Sequence, residues 1–199
     1  MKNNHIRKQA FILCILFLLT ATLVKAQDRH GFFNITEIGY GKGIGRINYG
    51  EAGFSSNEGK LGRFRTMFGH YLNPKMSLGV GIGLDGYTGS TGPRYNTMPV
   101  FADFRAYLKD TRNSPFAFVD AGHTIKIGDM FENGVFGALG LGYKKGFSRW
   151  GSLLLSASIN AHQVKDAETL VINPTKDFYY VRNDLLLYSL SVNVGLLIK

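Results

Sequence analysis

The sequence predicts an all-β fold: an eight-stranded antiparallel up-and-down transmembrane β-barrel after a cleaved N-terminal leader. Three observations predict it. Apolar residues alternate with polar or small ones in period two through most of the chain after residue 30. The alternating segments number eight and run about 10 to 14 residues each, longer than the ~5–6 residues of ordinary globular strands. The connectors between them alternate between long and short.

Composition agrees. The 199 residues are 45% hydrophobic and 19% charged, with 25 Gly and 13% aromatics. That is too apolar for a disordered chain, and Gly and aromatics are mediocre helix formers. A single Cys excludes a disulfide framework and a cysteine zinc site.

The chain opens as a secretory leader. Lys2, Arg7 and Lys8 precede an uncharged, mostly apolar run from Ala10 to Val24, and Val24-Lys25-Ala26 supplies a cleavage site. The run is 15 residues long, short of the ~20 that a spanning helix needs. Residues 1–26 are therefore expected to be a signal peptide and 27–199 the mature domain. Cys14 lies in the apolar run without a lipobox before it, so the mature chain has no Cys.

The strands are expected near 31–43, 61–72, 76–86, 98–109, 116–127, 135–145, 152–162 and 185–198. The clearest is Met76 to Asp85. Leu78, Val80, Ile82 and Leu84 occupy one face, and Ser77, Gly79, Gly81, Gly83 and Asp85 the other. The last segment repeats this, with Leu186, Tyr188, Leu190, Val192, Val194, Leu196 and Ile198 opposed to Ser189, Ser191, Asn193 and Gly195. In the first strand, Asn34 and Thr36 share a parity with Ile38 and Tyr40, which predicts a bulge near Glu37. About 10 residues at 3.3 Å, tilted ~45°, span roughly 25 Å, the height of a barrel's lipid band. Connectors 44–60, 87–97, 128–134 and 163–184 are long; 73–75, 110–115 and 146–151 are short. Long outer loops and tight periplasmic turns are the pattern of outer-membrane barrels, and an even strand count leaves both termini in the periplasm.

Parity alone does not say which face meets lipid. The leader implies export, and the apolar stripe recurs on every strand without amphipathic helices to cover it. The other face, with Asp103, Arg105, Asp120, Lys126, Lys144, Asn160 and His162, is too charged for a conventional core. Buried charges must be paired. A turn at 73–75 sets Arg63 opposite Asp85, and a turn at 111–114 sets Arg105 opposite Asp120, so both are expected as inward cross-strand pairs. Gly79, Gly81 and Gly83 leave room for Phe101, Phe116, Phe118 and Phe136. Side chains just fill an eight-stranded interior, so a plugged lumen is expected. Tyr40 and Tyr188 at one end, with Tyr143, Phe147 and Trp150 at the other, suit interfacial girdles.

With eight strands, alternating loops and the terminal segment Tyr188-Ser-Leu-Ser-Val-Asn-Val-Gly-Leu-Leu-Ile198, the chain resembles the small eight-stranded outer-membrane barrels of Gram-negative bacteria, the OmpX and OmpA-barrel type. The resemblance covers residues 31–199. It implies insertion into outer-membrane lipid by the barrel-assembly machinery, which reads the terminal strand. It leaves open structural, adhesive, lipid-modifying and secretory roles.

Chemistry-bearing motifs are sparse. Without Lys2, Arg7, Lys8 and Lys25, the chain keeps 19 Lys+Arg against 14 Asp+Glu. The excess falls at the short turns (Lys75, Lys109, Arg112, Lys145, Arg149), a collar beside lipid phosphates and not a nucleic-acid groove. The long loops show no basic cluster for lipopolysaccharide phosphates. Gly41-Lys-Gly-Ile-Gly45 lacks the spacing of a phosphate loop. His30, His70, His123 and His162 are scattered without metal-ligand spacing. His123 and His162 are not linked by motif to Ser90 or Ser156, so neither catalytic residues nor a cofactor are assigned. The longest connector, 163–184, is the candidate partner surface, with Asp177, Phe178, Tyr179, Tyr180 and Arg182 as an aromatic–Arg interface. The expected role is structural or interaction-based through the outer loops, not that of a general porin. The alternatives are a lipid A-modifying deacylase or acyltransferase on the same barrel, or a soluble lipocalin-like barrel binding an apolar ligand.

Overall fold

A computed structural model describes residues 31–48, 54–56, 58–88, 94–127, 132–172 and 178–199. The expected leader, 1–26, lies outside them. Ten strands appear in chain order: β1 (Phe32–Ile44), β2 (Arg46–Asn48), β3 (Phe54–Ser56), β4 (Lys60–Asn73), β5 (Met76–Thr88), β6 (Arg94–Tyr107), β7 (Ser114–Lys126), β8 (Gly134–Gly146), β9 (Gly151–Ile172) and β10 (Phe178–Ile198). Eight close into an antiparallel barrel in the order β1-β10-β9-β8-β7-β6-β5-β4, while β2 and β3 form a small hairpin at the β1–β4 connection. Closure is made by the β10–β1 ladder, which runs from Asn34↔Ile198 to Ile44↔Tyr188.

The alternation decides what faces where. Leu78, Val80, Ile82 and Leu84 point outward and stay 45–66% exposed, and Leu139, Leu141, Leu153, Leu155, Val192 and Val194 on other strands are likewise outward and exposed. Arg65, Asp85, Asp103, Arg105, Asn160 and Asn193 point inward and are buried. A soluble barrel would have the reverse arrangement. An apolar belt around a polar interior requires hydrocarbon outside, because exposed apolar patches on soluble monomers rarely exceed a few hundred Å². Tyr40 and Tyr188 sit outward toward the long-connector end, and Tyr143, Phe147 and Trp150 toward the short-turn end.

Three expectations are corrected. First, β1 carries no bulge: its ladders with β4 and β10 run without a break past Glu37. Asn34 and Thr36 face outward and satisfy one another. Asn34 Nδ2 donates to Thr66 Oγ1 (3.1 Å) and to the Met67 carbonyl (3.0 Å), and Thr36 Oγ1 donates to Asn34 Oδ1 (3.2 Å). Polar side chains on a lipid face are tolerable when they bond to each other. Second, Arg105 faces Phe118, and Asp103 faces Asp120. Strand β7 starts early, because the Ser114 hydroxyl accepts the Lys109 N–H and donates to the Pro115 carbonyl. The pairing thus slips by two residues, and an even slip keeps every side chain on its face. Third, the 163–184 segment is not a plain loop. Strand β9 continues to Ile172 and β10 resumes at Phe178.

Placing Arg at Ile82, mid-strand in the belt, should cost ~2–4 kcal/mol in guanidinium titrations of vesicle-folded protein; Arg at Met76, by the short turn, should cost only ~0–1. Equal costs at the two positions would mean that the belt does not lie in hydrocarbon.

Candidate functional site

The interior is built in layers, each set by which inward positions are small. Toward the short turns, Phe33, Tyr71, Tyr107, Phe116 and Phe118 form an aromatic cluster with Met67, Leu154 and Leu197. Glycines on facing strands make the space: a Cβ at Gly81 would collide with the Phe101 ring, at Gly140 with Phe118, at Gly142 with Phe116 and at Gly69 with Phe33. Lys144 reaches in from β8 and places its ammonium 4.4 Å from the Tyr107 ring centre.

The middle layer is ionic. Arg65 donates to Asp85 Oδ2 at 2.6 Å and to Asp120 Oδ2 at 3.1 Å. Its guanidinium lies over the rings of Phe136 (4.6 Å) and Phe101 (5.1 Å), which pack edge-on against each other. Arg105 donates to Asp103 at 3.0 Å and to Glu37 at 2.9 Å, with Phe116 and Phe118 at 5.4 and 5.3 Å. Arg63 faces Asp85 across β4 and β5, but its guanidinium stands 3.9 Å away, so Asp85 is held mainly by Arg65. Asp103 and Asp120 occupy facing positions, and each carboxyl is held by its own arginine, Asp120 by Arg65 and Asp103 by Arg105.

Four members, Arg63, Asp85, Arg105 and Asp120, are those expected from the sequence, whereas Arg65, Glu37 and the pairing role of Asp103 emerge only in the structure. Arg65 shares the inward parity of Arg63, so that parity was the available signal. His162, on the same inward face, is buried, stacked on Phe136 at 5.3 Å and 3.6 Å from Asp85. His123 points outward on β7, so the two histidines do not share a surface.

At the long-connector end, Ile47 of the β2–β3 hairpin packs with Leu61, Tyr87, Tyr95, Val164, Ala167, Leu185 and Leu187 into an apolar cap. Nearby, Lys126 Nζ donates to Glu132 Oε1 at 2.6 Å, a hydrogen bond that holds the exposed Glu132 carboxyl below the usual carboxylate range.

Above the cap, β9 and β10 leave the barrel as a ribbon. Their last rungs shared with neighbouring strands are Phe136↔His162 and Ile44↔Tyr188, yet they stay paired with each other to Ile172↔Phe178. That is ten residues further, roughly 33 Å at 3.3 Å per residue. Among the described residues, the ribbon edges take one additional rung, Glu132↔Lys165. A register shift at Asn183/Leu185 marks its base, where Asp166 has φ 48° and donates its N–H to Asp184 Oδ1. Bulges of this kind re-aim a strand. Of the expected interface, Asp177 lies outside the described residues, Phe178, Tyr179 and Tyr180 are placed in β10 by their backbone, and Arg182 is exposed on the ribbon.

Arg65→Met leaves Asp85 and Asp120 buried without their main cation. It should lower unfolding stability by ~3–5 kcal/mol, and adding Asp85→Leu and Asp120→Leu should recover much of that loss.

No protein-family model and no curated relative matches the chain. Solved structures do. The solid-state NMR structure of outer membrane protein AlkL in DMPC bilayers aligns with TM-score 0.50 at 11% identity, over 88% of this chain and 94% of that one. OprG from Pseudomonas aeruginosa gives 0.49 at 9% identity, covering 85% and 96%, and Neisserial surface protein A gives 0.49 at 12%, covering 85% and 97%. At such identities the likeness speaks to fold alone. With its closed eight-strand circuit and apolar belt, the chain has the fold of the small eight-stranded outer-membrane β-barrels.

Proposed function

We propose that this barrel serves as a membrane-anchored platform whose business is done by the β9–β10 ribbon, and that it does not conduct solutes as a general porin. The ribbon carries this reading. It stays paired over roughly 33 Å of strand beyond the last rungs it shares with its barrel neighbours, with backbone edges that, among the described residues, pair only at Glu132↔Lys165. Unpaired strand edges accept a further strand from a partner, and the exposed Arg182 adds a group suited to an interface. The filled interior fits an anchor: Arg65 and Arg105 are fully buried at mid-height, and an apolar cap closes the ribbon end.

In this reading the ribbon end faces the cell exterior, the short turns face the periplasm, and both termini are periplasmic, as an even number of strands requires. Biogenesis proceeds through the barrel-assembly machinery, with outer-membrane lipid as the surrounding partner. The partner at the ribbon is a protein or another cell surface.

Orientation has a direct test. Arg182→Cys should react with a membrane-impermeant maleimide in intact cells, whereas Arg112→Cys, on a short turn, should react only after permeabilisation; the opposite pattern inverts the barrel. A photo-crosslinker at the exposed position 165, at the base of the ribbon, should capture protein, and replacing 167–182 by a short turn should abolish capture while leaving a folded, heat-modifiable barrel. In planar bilayers the intact protein should give no porin-sized conductance steps. Such steps, or capture that persists without the ribbon, would overturn the reading.

A further inference from the structure

One surface feature is absorbed neither by the barrel's architecture nor by the ribbon. The register sets Lys42 directly opposite Lys60 on the outward face of β1 and β4, at the ribbon end of both strands. Both are exposed, and neither has an acidic partner among the described residues. Glu58, the nearest acid in sequence to Lys60, is exposed and makes no ion pair among the described residues. Like charges directly opposed on a sheet are destabilising, so the pair is better explained by an anion than by the fold. In sequence the two lysines lie 18 positions apart, one in a strand and one at a loop's edge, so no basic cluster was legible.

Beneath the lysines the surface is hollow. The next outward row is Tyr40↔Gly62↔Gly86. A Cβ at Gly62 would meet nothing within 4 Å, and one at Gly86 would come only within 3.3 Å of Asn96 Oδ1 and 4.0 Å of the Gly62 carbonyl. Packing does not require glycine at position 62, and glycine there weakens the strand. The two glycines floor a shallow trough between the cations and the exposed Phe64 and Leu84 of the belt. Above it Thr88 faces Lys60 and adds a hydroxyl. At the same end, the outward positions Ile125, Val135 and Leu186 are apolar, so the cationic row belongs to one side of the barrel.

We infer that Lys42 and Lys60 bind the phosphate of a membrane lipid, whose first chain carbons lie in the Gly62–Gly86 trough and continue over Phe64 and Leu84. Apolar floor and cationic rim stand in the order in which such a lipid presents chain and headgroup. Lysine ammonium groups reach the interface while their stems cover apolar surface. The inference holds whichever end of the barrel faces outward, so it stands or falls separately from the ribbon's role.

Native mass spectrometry of the detergent-folded full chain tests it, with dioleoyl phosphatidic acid, the matching diacylglycerol and inorganic phosphate as probes. One phosphatidic acid should bind in preference to diacylglycerol. Affinity should fall about 5-fold for each lysine removed in Lys42→Gln and Lys60→Gln, and more in the double variant. Lys145→Gln, at the short-turn end, should bind as the parent does. Gly62→Leu, whose Cβ meets nothing within 4 Å, should weaken binding while both lysines remain. Heat-modifiable mobility confirms that each variant is folded. Unchanged binding in the lysine double variant would overturn the site, as would an equal loss in Lys145→Gln. Equal competition by inorganic phosphate would mean a free-phosphate site and overturn the lipid assignment. Unchanged binding in Gly62→Leu would overturn the seating in the trough.

Discussion

Hydrocarbon offers no hydrogen bonds, so every N–H and C=O of a chain that crosses it must be satisfied within the protein. The β1–β10 ladder meets that requirement, since its rungs from Asn34↔Ile198 to Ile44↔Tyr188 leave the sheet without an edge inside the belt. Much else follows from closure. Once the sheet is a cylinder, each strand presents one face to lipid and one to a narrow interior. The period-two sequence then becomes a radial division, Val80 and Ile82 out, Gly81 and Asp85 in. The cluster of Asn34, Thr36 and Thr66 obeys the same rule at side-chain level: these groups turn outward, but toward each other.

The interior shows how a small cylinder stays full. Glycines at 69, 81, 140 and 142 accept the rings of Phe33, Phe101, Phe118 and Phe116, so space lost on one strand is used by another. Ring faces then lie against the guanidiniums of Arg65 and Arg105, whose carboxylate partners come from four different strands. An ion network of this kind adds little net stability over an apolar filling, because desolvation offsets attraction. It does make the inward register specific, since turning over β1, β4, β5, β6 or β7 would leave unpaired charge both inside and in lipid.

The two ends differ in kind. Short turns finish one end. The other carries the apolar cap around Ile47, the paired lysines at 42 and 60, and the ribbon bent at Asp166. A barrel wall that must remain uniform to sit in lipid leaves specific recognition to its rims and connectors. The ribbon offers strand edges and the lysine row offers charge, and the two involve different strands.

How much of this was legible in the sequence follows from which features are local. Period-two alternation, eight segments and the long-short rhythm of connectors depend on residues near one another in the chain, and they defined the barrel and the face of nearly every side chain. The Arg63–Asp85 facing was readable because a tight turn at 73–75 ties two strands together. Register across the six-residue turn 108–113 was not, since a hydroxyl at Ser114 decided where β7 begins. Arg65 with Asp120, Arg105 with Glu37, His162 beside Asp85 and Lys42 beside Lys60 join strands whose neighbourhood or curvature exists only after closure. The sequence by itself determined which side of each strand is apolar, because that is a property of successive residues. Only the tertiary structure decided which charges meet, because contacts across a cylinder depend on its circumference and stagger, and neither is written in any single strand.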